Sequence, residues 1–101
     1  MVEIAWTDQA IADIQSIAGF ISRNSEKYAG IQTERFFERV NILETLPLSG
    51  RVVPEANDKA IRELIEGNYR IIYFIVNKKR IDILTIHNGY MLLKNSPAFT
   101  K

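Results

Sequence analysis

Cysteine is absent from this 101-residue chain, which excludes disulfides, thiolate nucleophiles and Cys-ligated zinc and suits a reducing compartment. Histidine is nearly absent too. His87 stands alone, and one imidazole with scattered carboxylates lacks metal-ligand spacing, so no metal and no cofactor are expected. No apolar run approaches the ~18 residues that cross a bilayer, and Met1-Val2-Glu3-Ile4-Ala5-Trp6 lacks a basic segment followed by an apolar one. The chain is therefore expected to be soluble and cytoplasmic, without membrane contact. Excess charge of one sign is missing as well: thirteen Lys and Arg against twelve Asp and Glu leave a formal +1. A protein that grips nucleic acid by neutralising phosphates usually carries a clear basic excess. Any such role would rest on a local patch, either Lys78, Lys79 and Arg80 together or Arg51, Arg62 and Arg70 spread across the C-terminal half. Repeats, low-complexity segments and a Gly-rich phosphate loop are also absent.

What is present reads as one domain over residues 1–101, long enough to bury roughly two thirds of its unfolded surface. Val2 to Trp6 has the pattern of a short strand. Thr7 or Asp8 then supplies an N-cap oxygen, and Ile11, Ile14, Ile17, Ala18 and Ile21 recur at three- and four-residue spacing, predicting a helix that ends near Asn24. Asn24 to Gly30 reads as a short connection. A second helix follows with Ile31, Phe36, Val40, Leu43 and Leu46 on one side and Glu34, Arg35, Glu38, Arg39 and Glu44 largely on the other, stopped by Pro47. The first half is thus an αα-hairpin.

Pro47 to Lys59 reads as irregular, and beyond it the period changes. Ala60 to Glu66, Tyr69 to Val76 and Arg80 to His87 are rich in Ile, Val, Tyr and Phe, with turn signals at Gly67-Asn68 and Asn77-Lys78-Lys79. They predict a three-stranded antiparallel meander, and the class is α+β. With two-residue turns, Glu66 faces Tyr69, Arg62 faces Tyr73, Val76 faces Ile81 and Arg70 faces His87. The middle strand is apolar on both sides, so it needs cover on both. The helices supply one cover. The other is left open between the tail from Tyr90 to Lys101, with Met91, Leu92, Leu93 and Phe99, and a partner chain.

These residues carry a resemblance. A strand ending in Trp6-Thr7, Ala10 and Asp13 on the first helix, Leu46-Pro47 closing the second, then Gly50-Arg51-Val52-Val53-Pro54-Glu55, Ile61-Arg62-Glu63-Leu64, Tyr69-Arg70-Ile71-Ile72-Tyr73 and Ile86-His87 resemble the RelE/ParE family of bacterial toxins, closest to its ParE-like members, from Ile4 to about Leu93. The resemblance implies a twisted antiparallel sheet with two helices packed on one face. It also implies the toxin half of a type II toxin–antitoxin module, of the kind that stabilises plasmids: a growth inhibitor neutralised by a small cognate antitoxin. One branch of the family cleaves mRNA in the ribosome, and the other inhibits DNA gyrase.

RNA cleavage without a metal needs a base, cations that stabilise the phosphorane and an acid for the leaving oxygen. The nuclease branch supplies arginines, lysines, a tyrosine and, in some members, a His and a Glu. By that resemblance Arg70, His87 and Tyr90 are the candidate catalytic residues if the chain is an endoribonuclease. The run after the last strand departs from the family, since His87-Asn88-Gly89-Tyr90 contains no arginine and Lys94 is the nearest cation. The near-neutral charge and the missing arginines favour an inhibitor of gyrase acting by protein contact. The alternatives are a ribosome-dependent mRNA endonuclease and an inactive relic that only binds its antitoxin. Arg51, Arg62, Arg70 and Tyr73 are the residues expected to meet antitoxin or target. Each also has a plainer reading: Arg70 in a salt bridge to Glu63, Glu66 or a loop carboxylate; Arg51 paired with Glu55 or Glu63; Arg62 stacked on Tyr73; Tyr73 as packing; His87 as a structural histidine; Tyr90 as a rim aromatic; and Lys78-Lys79-Arg80 as a solvated hairpin tip.

Overall fold

A computed structural model describes residues 1–89; the expectations for Tyr90 and for the tail lie outside the described residues. Thr7 sets the first junction. Its Oγ1 accepts from the Ala10 amide at 3.2 Å, which caps α1 (Asp8–Ser22), and donates to the Ile83 carbonyl at 2.7 Å, which ties that helix start to the sheet. Ala10 and Ile14 are buried, and Ile17 packs against them. The connection that follows is shorter than the composition suggests. Ser25 caps α2 (Glu26–Val40) by accepting from the Tyr28 amide at 3.1 Å, so Gly30 lies inside a helix rather than in the loop.

Helix α2 buries Ala29, Phe36 and Val40, then tightens into a 3₁₀ turn over Asn41–Glu44 that buries Leu43. Three residues per turn rotate the stripe faster than 3.6. Leu46, expected on the buried side, is exposed instead.

The sheet has five strands in the order β1-β5-β4-β3-β2: β1 (Glu3–Trp6), β2 (Arg51–Val52), β3 (Ile61–Glu66), β4 (Tyr69–Asn77) and β5 (Arg80–Asn88). The meander is the predicted one, and two strands are added to its edges. Strand β1 lies parallel to β5, with Ile4 opposite Ile81 and Trp6 opposite Ile83. Strand β2 forms inside a segment read as irregular, because Arg51 opposes Glu63 and Val52 opposes Arg62. Gly67 takes φ 59° at the first turn position between β3 and β4, the conformation glycine supplies in a II′ hairpin.

The register of β4 on β5 agrees with expectation at its open end, where Arg70 faces His87, and slips in the middle. Pairing steps from Ile72 opposite Thr85 to Tyr73 opposite Ile83, skipping Leu84. It then steps from Ile75 opposite Ile81 to Asn77 opposite Arg80, skipping Val76. Ile81 therefore meets Ile75 rather than Val76. One extra residue on each strand makes two bulges that cancel.

One sheet face packs Ile71, Tyr73, Ile81, Ile83 and Ile86 against Phe36 and the other buried residues of the helices, each large side chain stabilising the fold by roughly 1.5–3 kcal/mol. On the other face Ile72 is covered by Val53, with Ala56, Ile61 and Leu84 around them. The segment after β2 is thus a cover that the sequence pattern did not reveal. Where β1 ends, Asp13 of α1 takes over the β5 edge. Its Oδ2 accepts from the Ile86 amide at 3.0 Å and from the Thr85 hydroxyl, which leaves no free ladder amide at Ile86 to recruit another strand.

Tyr73 is wholly buried, and its hydroxyl donates to the Pro47 carbonyl at 2.9 Å and accepts from the Gly50 amide at 3.0 Å. Burial pushes that hydroxyl's pKa up. A Cβ on Gly50 would stand 2.5 Å from the tyrosine oxygen and 2.6 Å from the Glu63 carbonyl oxygen, so the loop closes only over glycine. Tyr73→Phe should cost roughly 1–3 kcal/mol in urea unfolding, through the two backbone groups it strands. Gly50→Ala should cost at least as much by overpacking; a change below about 0.5 kcal/mol in both would refute this account of the loop.

Candidate functional site

Alternation along the strands decides which side chains meet on the sheet face away from the helices. Arg70 and Ile72 point there from β4, with His87 opposite Arg70 on β5, Glu63 opposite Ile72 on β3, and Arg51 opposite Glu63 on β2. Three strands thereby bring Arg51, Glu63 and Arg70 together, and the loop after β2 adds Glu55.

Glu63 is buried, and such a carboxylate carries a desolvation penalty of several kcal/mol unless it is paired. Both of its oxygens are taken: Oε1 accepts from Arg70 Nε at 2.5 Å and Oε2 accepts from Arg51 Nε. Anchored in this way, Arg70 turns its two terminal nitrogens outward. Nη1 and Nη2 donate to the two oxygens of Glu55 at 2.8 and 3.0 Å, a fork-to-fork pair. The Arg70 side chain is 12% exposed and that of Glu55 46%. The Arg70 guanidinium holds the Glu55 carboxyl down at about 2, and the same bonds raise the pKa of Arg70 above its already high value.

Arg51 differs from Arg70 in standing 65% exposed. Beside the two arginines lies a cleft of about 290 Å³, also lined by Ile65, Asn68 and Tyr69. His87 is buried across from Arg70. Two guanidiniums and two carboxylates make the quartet electrically neutral, so no net charge is left over for a phosphate. Among the described residues no three His, Asp or Glu side chains gather as a metal site.

Of the residues singled out in the sequence, Arg51, Arg70 and His87 come together; Arg70 pairs with Glu63 and the loop carboxylate Glu55 rather than Glu66, and Arg51 pairs with Glu63 rather than Glu55. Arg62 and Tyr73 serve the loop instead. Arg62 donates to the carbonyls of Lys59 and Gly50, each at 3.0 Å, in place of the stacking considered for it. Tyr73 offers no surface to a partner, being wholly buried. Arg80 pairs with Asp82 at 2.8 Å beside the exposed Lys78-Lys79 turn. Sequence reasoning missed two features: the edge-closing role of Asp13, which entered only as one of the residues carrying the family resemblance, and an exposed apolar pair, Leu46 and Leu48, on the loop that Tyr73 and Arg62 hold. Apolar lining continues around that pair in a cleft of about 440 Å³ formed by residues 45–49.

The chain matches the family model of the ParE toxin of the type II toxin–antitoxin system, parDE, over residues 4–92. Among solved structures it is similar to a chain of the chromosomal ParDE toxin–antitoxin system from P. aeruginosa, with a TM-score of 0.70 and 24% identity over 87% of this chain and 96% of that one. No match was found among curated proteins.

Two predictions follow from the charge quartet. Glu63→Ala leaves two arginines without their shared carboxylate and should cost roughly 3–5 kcal/mol in denaturant unfolding. Glu55 has a depressed pKa in the folded state, so its contribution to stability is complete above its ordinary value of 4.5 and drains away as the pH falls through about 2. Wild type should lose more stability than Glu55→Gln between pH 5 and pH 2 as the two converge; parallel curves would exclude the pair as a source of acid sensitivity.

Proposed function

The chain belongs to the ParE toxin family of type II toxin–antitoxin systems, and from that premise we propose that it arrests growth by protein contact with DNA gyrase and is silenced by a small cognate antitoxin. The observation that carries the contact reading is the occupied state of Arg70. Phosphoryl chemistry on RNA asks an arginine to meet charge that develops in the transition state. Here the guanidinium is already bonded to Glu63 and Glu55 on all three of its nitrogens, and a phosphate would have to displace a carboxylate first. Near-neutral overall charge supports the same reading.

One observation favours the endonuclease alternative. Arg70 and His87 are cross-strand neighbours, and a guanidinium beside an imidazole is an arrangement that RNA cleavage can use. Tyr90 would be the third member of that site.

The antitoxin is proposed to lay apolar side chains on exposed surface such as Leu46 and Leu48, pre-shaped by the tyrosine-held loop, and to meet Arg51 and Arg70 with acidic residues. Preorganisation lowers the ordering cost of such binding. Among the described residues no helix is long and apolar enough to cross a membrane, and the proposed target places the action in the cytoplasm.

The test is expression without antitoxin, with mRNA ends and plasmid supercoiling read from the same culture for wild type and His87→Ala. We expect arrested growth, intact transcripts, lost supercoiling and an unchanged effect of His87→Ala. Codon-clustered cuts that vanish in His87→Ala would overturn the contact reading in favour of the nuclease, and normal growth with neither signal would reduce the chain to an antitoxin-binding relic.

A further inference from the structure

Glu55 meets Arg70 in the way a bound carboxylate ligand would. Arg70 is fixed from behind by Glu63, and its outward fork takes both Glu55 oxygens at 2.8 and 3.0 Å. The two residues differ in how they are held. Arg70 belongs to the central β4, whereas Glu55 lies in the turn Val53–Ala56, closed by the Ala56 amide donating to the Val53 carbonyl at 3.2 Å, with Val53 buried and Glu55 half exposed. The loop can therefore stay seated on Val53 while the Glu55 side chain alone rotates away. Its departure would change the local charge from zero to plus one, because Arg51 and Arg70 would share only Glu63.

We propose that the Arg70 fork is a carboxylate-binding site for an acidic side chain of the antitoxin, and that Glu55 closes this site in the free toxin as a built-in pseudo-ligand. The proposal rests on the antitoxin reading given above. The adjoining cleft of about 290 Å³ suits such a side chain, with Arg51 on one side and the half-exposed Ile65 as an apolar neighbour. An incoming Asp or Glu replaces Glu55 one carboxylate for another, so the bidentate geometry and the charge balance are both restored in the complex. A protein carboxylate is favoured over a nucleic-acid phosphate because the exchange conserves charge, whereas a polyanion would meet a surface with almost no net attraction for it.

The test compares wild type with Glu55→Ala in two arms. In the first, thermal unfolding is followed in acetate, in inorganic phosphate and in chloride at matched ionic strength. Acetate should raise the midpoint of Glu55→Ala selectively and leave wild type unmoved. In the second, binding of the cognate antitoxin is titrated. Apparent Kd scales inversely with the fraction of molecules whose site is open, so removing the competitor should tighten binding about five- to tenfold. Equal effects of acetate and chloride, or a Glu55→Ala complex no tighter than wild type with the folded-state circular dichroism intact, would overturn the pseudo-ligand. Stronger stabilisation by phosphate than by acetate would overturn the carboxylate assignment. If wild type binds no antitoxin, the underlying reading fails, and the acetate arm still decides whether Glu55 masks an anion site.

Discussion

The Glu63 carboxylate is the contact around which the rest of the sheet is arranged. It lies buried in β3 and can do so only because β2 and β4 each deliver an arginine to one of its oxygens. The three strands are thus joined by side chains as well as by their ladders. Strand β2, at two residues, forms few ladder bonds of its own, and Arg51 on Glu63 accounts for why so short a segment is strand at all. Arg70 in turn holds the Glu55 side chain, two residues beyond the Val53 that covers Ile72. Pairing of a buried carboxylate, rather than apolar burial alone, therefore organises the face of the sheet opposite the helices.

A second group of contacts shapes the opposite end of the same segment. Tyr73 supplies a large apolar body to the helix-side core and a hydroxyl to the Pro47–Gly50 backbone, while Arg62 bonds the carbonyl of Gly50 from the outside. Two residues whose types suggest recognition are used to hold a loop, and the side chains that loop exposes are leucines. Residue type suggests recognition for Tyr73 and Arg62, and their contacts are those of support. The sheet edges are closed in a similar spirit: Arg39 donates to the Ile65 carbonyl at 3.1 Å on one side, and Asp13 accepts from Ile86 on the other.

Much of this was legible in the sequence wherever one local rule was in control. Periodicity showed the αα-hairpin and the meander, turn chemistry placed Gly67, and strand alternation brought Arg70 to His87, while Glu63 stood only as one of the carboxylates open to each arginine. The rest depends on tertiary neighbours. Strand β2 exists because of Glu63, the exposure of Leu46 follows from a tightening of α2 that Pro47 alone did not announce, and the cover over Ile72 comes from a loop whose Val53 has no periodic context. Bulges at Leu84 and Val76 carry no residue signature at all, being neither glycine nor proline.

Those two bulges behave like a pair of mutually suppressing frameshifts in a reading frame. Around the β4–β5 hairpin, the count of residues determines which side chains share a face. One extra residue on β5 throws the count out, and one on β4 restores it before the turn. Between them lies a short stretch, Tyr73 to Ile75 against Ile81 to Ile83, read one step out of phase with its flanks. Each bulge takes up its extra residue locally: the pairs on either side of Leu84 and of Val76 keep their partners, and Arg70 still faces His87. A residue added to this hairpin is thus harmless where a bulge can absorb it, and flips the faces beyond it only where the ladder must stay regular.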